Sequence, residues 1–358
     1  MLERVLQAGL MAPKTLTVSI TNGCNLRCLH CWPQSRPELI AAPVPAESIC
    51  RLIAEFVALG VEEVILSGGE PLTRPDWIDI LAFCCRQEAI RAVCLQTNGA
   101  KLSEVEVSKL NSLGFAGLAV QVSLDGATEK TNDYLRGAGS FKRALSGLTY
   151  LVEGGLGKRT RVAFTEMRHN FDEIPALLAL LENLGIGRVV TGTLIPKGRA
   201  AKNHGLFLPT PSQYRKLLER YQADPGFRGA CDRMAAISVV EWYKGRAEAA
   251  RGVCRCIESP YVSADGRMYP CALFQADEFS VADVFSRPLA EALREAAPLW
   301  SQLLEISRRR ALELKICRGC QGRSHCAGGC MGRAYAAYSS MMREEDRCSL
   351  RKAAYTFS

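Results

Sequence analysis

The sequence predicts an α/β fold, in the form of a partial (β/α)6 TIM-like barrel followed by a small Cys-rich C-terminal domain. Two observations lead to this prediction. Between residues 15 and 196, six short apolar runs alternate with helical stretches, which is the pattern of a parallel sheet whose strands are joined by helices. From about residue 251 onward, the composition changes toward cysteine, glycine and arginine. The first part therefore predicts the barrel and the second part a separate unit.

The elements of the barrel can be assigned in chain order. We predict strands at residues 15–21, 63–67, 92–97, 118–123, 161–165 and 188–194. We predict helices near residues 46–59, 75–87, 103–112, 140–153 and 171–184. The strands alternate little between apolar and polar residues, so we expect both faces of the sheet to be covered.

The residues that follow the strands predict the position of the site. The carboxyl ends of parallel strands meet at one end of a barrel, and active sites are built there. The residues that come just after predicted strands are Cys24, Gly68, Asn98, Asp125 and Pro196. We therefore expect these residues to converge.

The rest of the chain divides into two further segments. Residues 197–250 are helical and less regular, and we interpret them as a bridge. Within residues 259–274, Asp265-Gly266 stands between two β-like runs, which predicts a hairpin. The predicted domains are thus a core barrel at 1–196, a helical bridge at 197–250 and a C-terminal domain at 251–358.

Composition limits the class of protein. The 358 residues are 48% hydrophobic and 23% charged, which is ordinary for a globular chain of two domains. The chain has 16 cysteines and lacks a signal-peptide pattern, so we expect a reducing, cytoplasmic location. No run of about 18 apolar residues predicts a membrane span. The net charge of +8 is spread along the chain, and the arginine run at 308–310 is expected to be a solvated helix face, so no nucleic-acid partner is expected.

Cys24, Cys28 and Cys31 form a C-x₃-C-x₂-C run after the first predicted strand. Three thiolates at this spacing can hold three irons of a [4Fe–4S] cluster and leave the fourth iron open to a small molecule. The alternatives are a zinc site or three incidental core cysteines. Zinc usually requires a fourth protein ligand and a second cysteine pair, and no such pair is near in the sequence.

Together with the loops after the next three strands, this run resembles the radical S-adenosylmethionine (radical SAM) superfamily over nearly the whole chain. The resemblance implies that Cys24, Cys28 and Cys31 hold a [4Fe–4S] cluster whose open iron chelates the methionine part of SAM. It also implies that the ring of His30 lies near the adenine.

The same resemblance implies further SAM contacts in the later loops. Gly68, Gly69 and Glu70 would contact the amino group of SAM. Ser123 and Asp125 are the candidates for the ribose, and Arg136 is the candidate for the SAM carboxylate. Glycine permits close backbone approach, and a carboxylate suits an ammonium group.

The C-terminal cysteines resemble the seven-cysteine pattern of SPASM domains, which carry two auxiliary [4Fe–4S] clusters. The resemblance implies a distal set of ligands, Cys317, Cys320, Cys326 and Cys348, and a proximal set nearer the barrel, Cys256, Cys271 and Cys330. The proximal set needs a fourth ligand, for which Cys254, Cys231 and an open iron are the alternatives. On spacing alone, the distal C-x₂-C pair with the nearby His325 is also typical of zinc.

The activity that the resemblance implies is reductive cleavage of SAM to a 5′-deoxyadenosyl radical, which abstracts a hydrogen atom from the substrate. Auxiliary clusters can accept or deliver electrons, so we expect an oxidoreductase that oxidises or cross-links its substrate. A ferredoxin- or flavodoxin-type protein is the expected electron donor. The expected substrate is a peptide or protein, which would make the enzyme a maturase.

Other functions stay open at this point. Modification of a tetrapyrrole side chain is one alternative. Residues 68–76 resemble the corresponding segment of related enzymes of heme and heme d₁ biosynthesis, and the positive net charge would suit a tetrapyrrole with several carboxylates. Dehydrogenation of a small alcohol is a further alternative. A non-catalytic iron–sulfur or zinc scaffold is the alternative outside enzymes. The sequence identifies no general base, and it determines neither the substrate nor the oligomeric state.

Overall fold

A nine-stranded sheet organises the computed structural model, which describes residues 7, 9–33, 35, 43–247, 254 and 258–358. The strands are β1 (Thr15–Ser19), β2 (Glu63–Ser67), β3 (Ala92–Thr97), β4 (Leu118–Ser123), β5 (Thr160–Glu166), β6 (Arg188–Thr193), β7 (Ala235–Ala236), β8 (Tyr261–Val262) and β9 (Met268–Tyr269). Their order across the sheet is β7-β6-β5-β4-β3-β2-β1-β8-β9. Neighbouring strands are parallel except β8 and β9, which are antiparallel.

Helices connect the strands and cover the sheet. In the described residues they are α1 (Ala46–Val57), α2 (Trp77–Cys85), α3 (Glu104–Ser112), α4 (Glu129–Arg136), α5 (Ser140–Glu153), α6 (Ile174–Leu184), α7 (Gly198–Lys202), α8 (Pro211–Ala223), α9 (Pro225–Met234), α10 (Ser238–Lys244), α11 (Leu289–Glu313), α12 (Arg323–Cys326), α13 (Met331–Tyr338) and α14 (Cys348–Tyr355). None of them combines the length and the apolar character that crossing a bilayer requires.

The predicted α/β barrel is confirmed. The six predicted strands and five predicted helices all occur, and most of their ends differ from the prediction by only one or two residues. Helices α4 and α11 were not assigned from the sequence. In the second half of the chain, the predicted hairpin is also confirmed, since β8 and β9 pair around a turn in which Gly266 has a φ of +80°.

The expectation that both faces of the sheet are covered is wrong. Along β4 and β5, burial alternates: Val122 and Phe164 lie in the core, whereas Gln121 and Thr165 are only half-buried. The physical reason is that the outermost described strands, β7 and β9, do not pair with each other, so the barrel stays open. Its concave face borders a cavity, and polar side chains are tolerated there.

The sheet includes strands from all three predicted segments. Strand β7, from the bridge, pairs in parallel with β6, and β8, from the C-terminal segment, pairs in parallel with β1. The added strands extend the six-stranded core at both of its edges. The domain division at residues 196 and 250 itself stays a prediction.

A buried carboxylate fixes the bridge to the barrel. Glu166, at the end of β5, accepts hydrogen bonds from the hydroxyl groups of Thr191 and Tyr214 and, at 3.2 Å, from the backbone N of Ser238. Tyr214 also stacks on Phe171 with ring centroids 4.9 Å apart. Burial, with the nearby Glu166 carboxylate, raises the pKa of Tyr214 well above its ordinary value, so its hydroxyl remains a donor.

We predict that Tyr214→Phe destabilises the protein by about 1–3 kcal/mol, because one oxygen of the buried Glu166 carboxylate loses its donor. The matched control is Tyr221→Phe, since the hydroxyl of Tyr221 donates to Asp232, a largely exposed carboxylate. Its expected cost is below about 1 kcal/mol. Urea unfolding of the reconstituted protein under anaerobic conditions measures both. Equal losses in the two variants would contradict the anchoring role of Glu166.

Candidate active site

A cavity of about 460 Å³ opens at the carboxyl ends of the barrel strands. Most of the residues predicted for the first cluster and for SAM line it: Cys24, Cys28, Cys31, His30, Gly68, Gly69, Ser123 and Arg136. Glu70 and Asp125 lie directly behind the wall and are fully buried. Of the residues predicted to converge after the strands, Asn98 lines the cavity, whereas Pro196 lines a separate depression.

The cysteine loop is clamped from the far side of the barrel by Arg199, which lies in α7 after β6. Its Nε donates to Cys28 O at 2.8 Å, and its backbone N donates to Cys31 O at 3.0 Å. The preceding Gly198 has a φ of +59°, and a Cβ there would lie 2.3 Å from Trp32 O. Sequence reasoning missed Arg199, although this glycine was an available signal of a close approach.

The donor set of the loop fits an iron–sulfur cluster. Burial, with smaller contributions from Glu70, Cys28 and Cys31, raises the pKa of Cys24 to about 11. Burial also raises the pKa of Cys28. Thiols that ionise reluctantly and crowd one another become thiolates when a metal supplies the compensating positive charge. These cysteines can therefore hold a cluster, and its charge would relieve their repulsion.

The Gly68-Gly69 pair brings the loop after β2 against the cysteine loop. Gly69 N donates to Thr21 O at 2.7 Å, and Glu70 N donates to Gly23 O at 2.8 Å. A Cβ at Gly69 would lie 2.0 Å from Gly23 O, and one at Gly68 would lie 2.3 Å from Thr21 O. Both positions exclude any larger residue, so this pair has a structural role in addition to the predicted SAM contact.

The side chain of Glu70 connects β2 to β3. Its carboxylate accepts hydrogen bonds from Thr97 Oγ1 and Asn98 N, each at 2.7 Å, and from Leu72 N at 3.1 Å. Burial raises the pKa of Glu70, although these hydrogen bonds oppose the rise. Asn98 Nδ2 in turn donates to Asn25 Oδ1 at 2.8 Å, which returns the network to the cysteine loop. Contact between Glu70 and SAM stays a prediction.

Three of the predicted SAM-binding residues form one buried cluster. Arg136 Nε and Nη2 each lie 2.7 Å from Asp125 Oδ2, and His30 Nε2 lies 3.0 Å from the same oxygen. Thr165 N donates to the other oxygen at 2.6 Å. Burial by itself would raise the pKa of Asp125, but Arg136 and His30 outweigh it and hold that pKa well below its usual range. Asp125 is therefore a fixed carboxylate that orients the other two side chains.

One ring nitrogen of His30, in the cavity wall, lacks a hydrogen-bond partner among the described residues. This atom is Nδ1, and it is buried. Because Nε2 donates to Asp125, Nδ1 of a neutral ring is an acceptor. An unmatched buried acceptor is costly, and a ligand that carries N–H groups, such as the adenine of SAM, would satisfy it. The wall of this cavity thus fits SAM.

The C-terminal region gathers the four cysteines of the distal set. Cys317, Cys320, Cys326 and Cys348 line a single pocket. Burial, with smaller contributions from the neighbouring Cys317 and Cys348, raises the pKa of Cys326 to about 11. The pocket is thus lined by four sulfur donors, as a fully ligated cluster requires.

The proximal set is described in part, because Cys256 lies outside the described residues. Burial, with smaller contributions from Cys330 and Cys254, raises the pKa of Cys271 to about 12. Cys231 instead packs in the hydrophobic core on α9, with Asp232 and Lys244 as its charged neighbours. The structure therefore groups Cys254, and not Cys231, with Cys271 and Cys330.

A site for a single metal ion differs in geometry from a site for an iron–sulfur cluster. In the ranges that the structure describes, no three His, Cys, Asp or Glu side chains are arranged to hold one metal ion. This does not bear on clusters, because the cysteines of a cubane each bind a different iron and stand further apart than the ligands of one ion.

Sequence reasoning missed Glu345, which joins the two auxiliary sets. Its carboxylate is buried and accepts hydrogen bonds from Cys330 N at 3.1 Å, from Arg347 Nη2 at 2.7 Å and from Arg351. Its backbone O accepts from Cys348 N at 3.0 Å. Burial would raise the pKa of Glu345, but the two arginines lower it to about 2. The sequence offered only a weak signal, an acid close to several arginines beside Cys348.

This geometry first defines a class: an α/β-barrel enzyme that holds an iron–sulfur cluster and a small cofactor where its strands end. The chain belongs to the radical SAM superfamily, whose sequence model matches residues 18–181. It is 30% identical to the Fe-coproporphyrin III synthase of Methanosarcina barkeri, over 93% of this chain and 87% of that protein. It is 29% identical to the mycofactocin maturase MftC of Mycobacterium ulcerans, over 90% of this chain and 84% of that protein.

A solved structure shares the fold. SuiB of Streptococcus suis, crystallised with S-adenosylmethionine, superposes with a TM-score of 0.74 at 19% identity, over 96% of this chain and 79% of SuiB. The predicted radical SAM enzyme with a C-terminal SPASM domain is confirmed, and its cofactors are SAM and iron–sulfur clusters. The relatives are synthases and maturases, so the scaffold alternative is not retained.

We predict that Gly69→Ala removes the iron of the Cys24/Cys28/Cys31 site and leaves the auxiliary iron in place, because the new Cβ would displace the backbone at Gly23. Gly192→Ala is the matched control, since nothing lies within 4 Å of a Cβ at that position. Iron and sulfide per chain, with electron paramagnetic resonance (EPR) spectra of the reduced clusters, measure the effect. Full iron content in Gly69→Ala would refute the close-approach argument.

Proposed function

We propose that this protein is a maturase that oxidatively modifies or cross-links a peptide or protein substrate. When bound, the cluster-held SAM supplies a 5′-deoxyadenosyl radical that can take a hydrogen atom from an unactivated C–H bond. The residues of the chain decide which C–H bond is presented and keep water away from it.

The observation that carries the proposal is the chemistry of the cavity wall. Its strand residues are mostly neutral hydrogen-bonding groups: Thr17, Ser19, Gln96, Gln121, Ser123 and Thr165. Among the described lining residues, only Arg136 and Arg199 carry a permanent positive charge. Arg136 is paired with Asp125 and is the candidate for the SAM carboxylate, and Arg199 is bound to backbone carbonyls, so neither is left for a substrate carboxylate. Neutral donors and acceptors suit the amides of a peptide better than a molecule with several carboxylates.

Each predicted site residue has a role in this proposal. Cys24, Cys28 and Cys31 hold the cluster that binds SAM. His30 meets the adenine through its Nδ1, which has no partner among the described residues, and Ser123 serves the ribose side of the site. Asp125 acts from behind the wall, where it orients His30 and Arg136. Arg136 neutralises the SAM carboxylate. The Gly68-Gly69-Glu70 turn approaches the SAM amino group through its backbone, because the Glu70 carboxylate already has donors on three sides.

The auxiliary ligands follow from the grouping of the cysteines. We assign Cys317, Cys320, Cys326 and Cys348 to the distal cluster. We assign Cys254, Cys256, Cys271 and Cys330 to the proximal cluster. The grouping of Cys254 with Cys271 and Cys330 supports its choice over Cys231 as the fourth ligand.

The proposal includes a ferredoxin- or flavodoxin-type electron donor and, because clusters and free thiols require reducing conditions, a cytoplasmic location. The surface beside the distal set supports such a donor. Residues 315–323 contain no acidic residue, and Lys315 and Arg318 are exposed there with the apolar Ile316 between them. Acidic carriers associate with basic patches of this kind.

A tetrapyrrole substrate is the second candidate. It is favoured by the match to a protein named Fe-coproporphyrin III synthase, which extends over 87% of that protein. The cavity wall argues against it, because the described lining offers no uncommitted cation for the propionate groups. A measurement on both substrate classes separates the two.

The test uses anaerobically reconstituted enzyme. Iron and sulfide are counted, and 5′-deoxyadenosine is measured under dithionite with either a perdeuterated peptide pool or a panel of polycarboxylate tetrapyrroles that includes siroheme-type compounds and iron coproporphyrin III. We expect deuterium from the peptides to appear in 5′-deoxyadenosine. Removal of Cys24, Cys28 and Cys31 together by alanine substitution should abolish the product and leave the auxiliary iron bound. Loss of carboxyl mass from one of these tetrapyrroles, without deuterium transfer from peptides, would overturn the peptide proposal in favour of the second candidate.

We predict that Lys315→Glu with Arg318→Glu raises the KM for an acidic flavodoxin at least tenfold at low ionic strength, because charge reversal removes electrostatic steering. SAM cleavage driven by dithionite should not change. Lys158→Glu with Arg159→Glu is the matched control, since it changes the net charge equally on another exposed surface. The KM is measured from steady-state rates of SAM cleavage at increasing flavodoxin concentration. Equal increases in the KM of both double variants would rule out this docking surface.

A further inference from the structure

Arg310 lies in a position that the sequence did not predict. The arginine run at 308–310 was expected to be a solvated helix face, and this is wrong for Arg310, whose exposure is only 1%. Arg308 and Arg309 are exposed and pair with Glu305 and Glu313. The helical period explains the difference, since Arg310 shares the buried face of α11 with Leu303 and Ser307.

The guanidinium of Arg310 is largely unpartnered in spite of this burial. Its Nη2 donates to Gly328 O at 2.6 Å. Its Nε and Nη1 are buried and meet no acceptor among the described residues. A buried donor without an acceptor costs about 1–3 kcal/mol, and more when the group is charged. Two such donors on one buried cation require an explanation.

The groups around this guanidinium are the auxiliary cysteines. Burial lowers the pKa of Arg310, and the negative groups that oppose this effect are Cys330, Glu345, Cys317 and Cys254. Glu345 is already bound by Arg347, Arg351 and Cys330 N, so it leaves Arg310 without a carboxylate of its own. The remaining neighbours belong to both sets, Cys317 to the distal set and Cys254 and Cys330 to the proximal set. The hydrogen bond to Gly328 O also places Arg310 against the segment that joins Cys326 of the distal set to Cys330 of the proximal set, so the cation lies near both sets.

We propose that Arg310 donates its two free N–H groups to sulfur atoms of the auxiliary clusters and, by its charge, raises their reduction potentials. This inference rests on the proposed auxiliary clusters. Ligated clusters are anions whose negative charge grows on reduction, and both net charge and hydrogen bonds to sulfur set their potentials. A fixed buried cation between two such anions favours the reduced forms and offsets their mutual repulsion.

A purely structural role explains less. A structural link between α11 and the segment that contains Gly328 needs only the hydrogen bond to Gly328 O, and a neutral donor would supply it. Such a link would leave two charged donors buried at a cost that no described contact offsets. Cluster sulfur atoms are acceptors of the appropriate charge, and they would satisfy both donors.

The first measurement is an EPR-monitored redox titration of the auxiliary clusters, in full-length protein that carries Cys24→Ala, Cys28→Ala and Cys31→Ala so that only auxiliary signals remain. In Arg310→Met, we expect the ratio of reduced to oxidised cluster at a fixed solution potential to fall at least tenfold, or about 59 mV for a one-electron couple. Arg309→Met is the matched control, because it removes an exposed cation one residue away. An unchanged potential in loaded Arg310→Met overturns the proposal.

The second measurement stays decisive if Arg310→Met does not retain its clusters. Arginine labelled with ¹⁵N in the guanidinium is incorporated, and pulsed EPR of the reduced auxiliary clusters records ¹⁵N hyperfine coupling. The largest ¹⁵N coupling should be present in the parent protein and in Arg309→Lys and absent in Arg310→Lys, whereas weaker couplings from Arg323 and Arg351 remain in all three. Persistence of the largest coupling in Arg310→Lys overturns the proposal. A parent protein that binds no auxiliary iron would overturn the proposed clusters as well, and the iron count distinguishes that failure from this one.

Discussion

The active-site end of the barrel depends on backbone contact between two loops. Gly69 N and Glu70 N donate to the carbonyls of Thr21 and Gly23, and this contact exists only because two glycines expose their backbone. It fixes the start of the cysteine loop relative to β2. From there, the Glu70 carboxylate extends the connection to β3, and Asn98 returns it to the loop. Three strand ends are thereby locked together before any cofactor binds, which is the preorganisation that a reactive radical requires.

The structure also buries charged side chains, and the charges of two acids and one arginine among them are not compensated in the same way. Asp125 is buried with Arg136 and His30, and Glu345 is buried with Arg347 and Arg351. In both, the acid is held ionised by its neighbours, and breaking either group would strand a charge at a cost of roughly 3–5 kcal/mol. Arg310 is buried without a carboxylate of its own. Apart from Glu345, its negative neighbours are thiols, and in our proposal its charge is compensated by the clusters that those thiols bind.

The barrel could be predicted from the sequence because its strands and helices are encoded by local hydrophobic patterns. Six apolar runs separated by helical periods define strands and helices, and the residues after the strands converge because parallel strands end together. Arg199, Glu345 and Arg310 were missed because their importance comes from long-range packing. The side chain of Arg199 reaches the cysteine loop across 171 residues of chain, and no local pattern encodes that contact. Arg310 was misjudged because charge composition was considered without the helical period that turns one of three adjacent arginines inward.

The sites form a continuous series from the surface to the cavity. Lys315 and Arg318 are exposed beside the distal set, and Arg310 lies between the distal and proximal sets. Cys271 of the proximal set is followed directly by Ala272, which lines the cavity. The same edge of the cavity is fixed to β1 through β8, where Tyr261 and Ser19 share a hydrogen bond of 2.7 Å. In the proposed function, electrons would enter or leave at this surface and pass through the auxiliary clusters. This arrangement suits a reaction whose substrate loses electrons as well as a hydrogen atom.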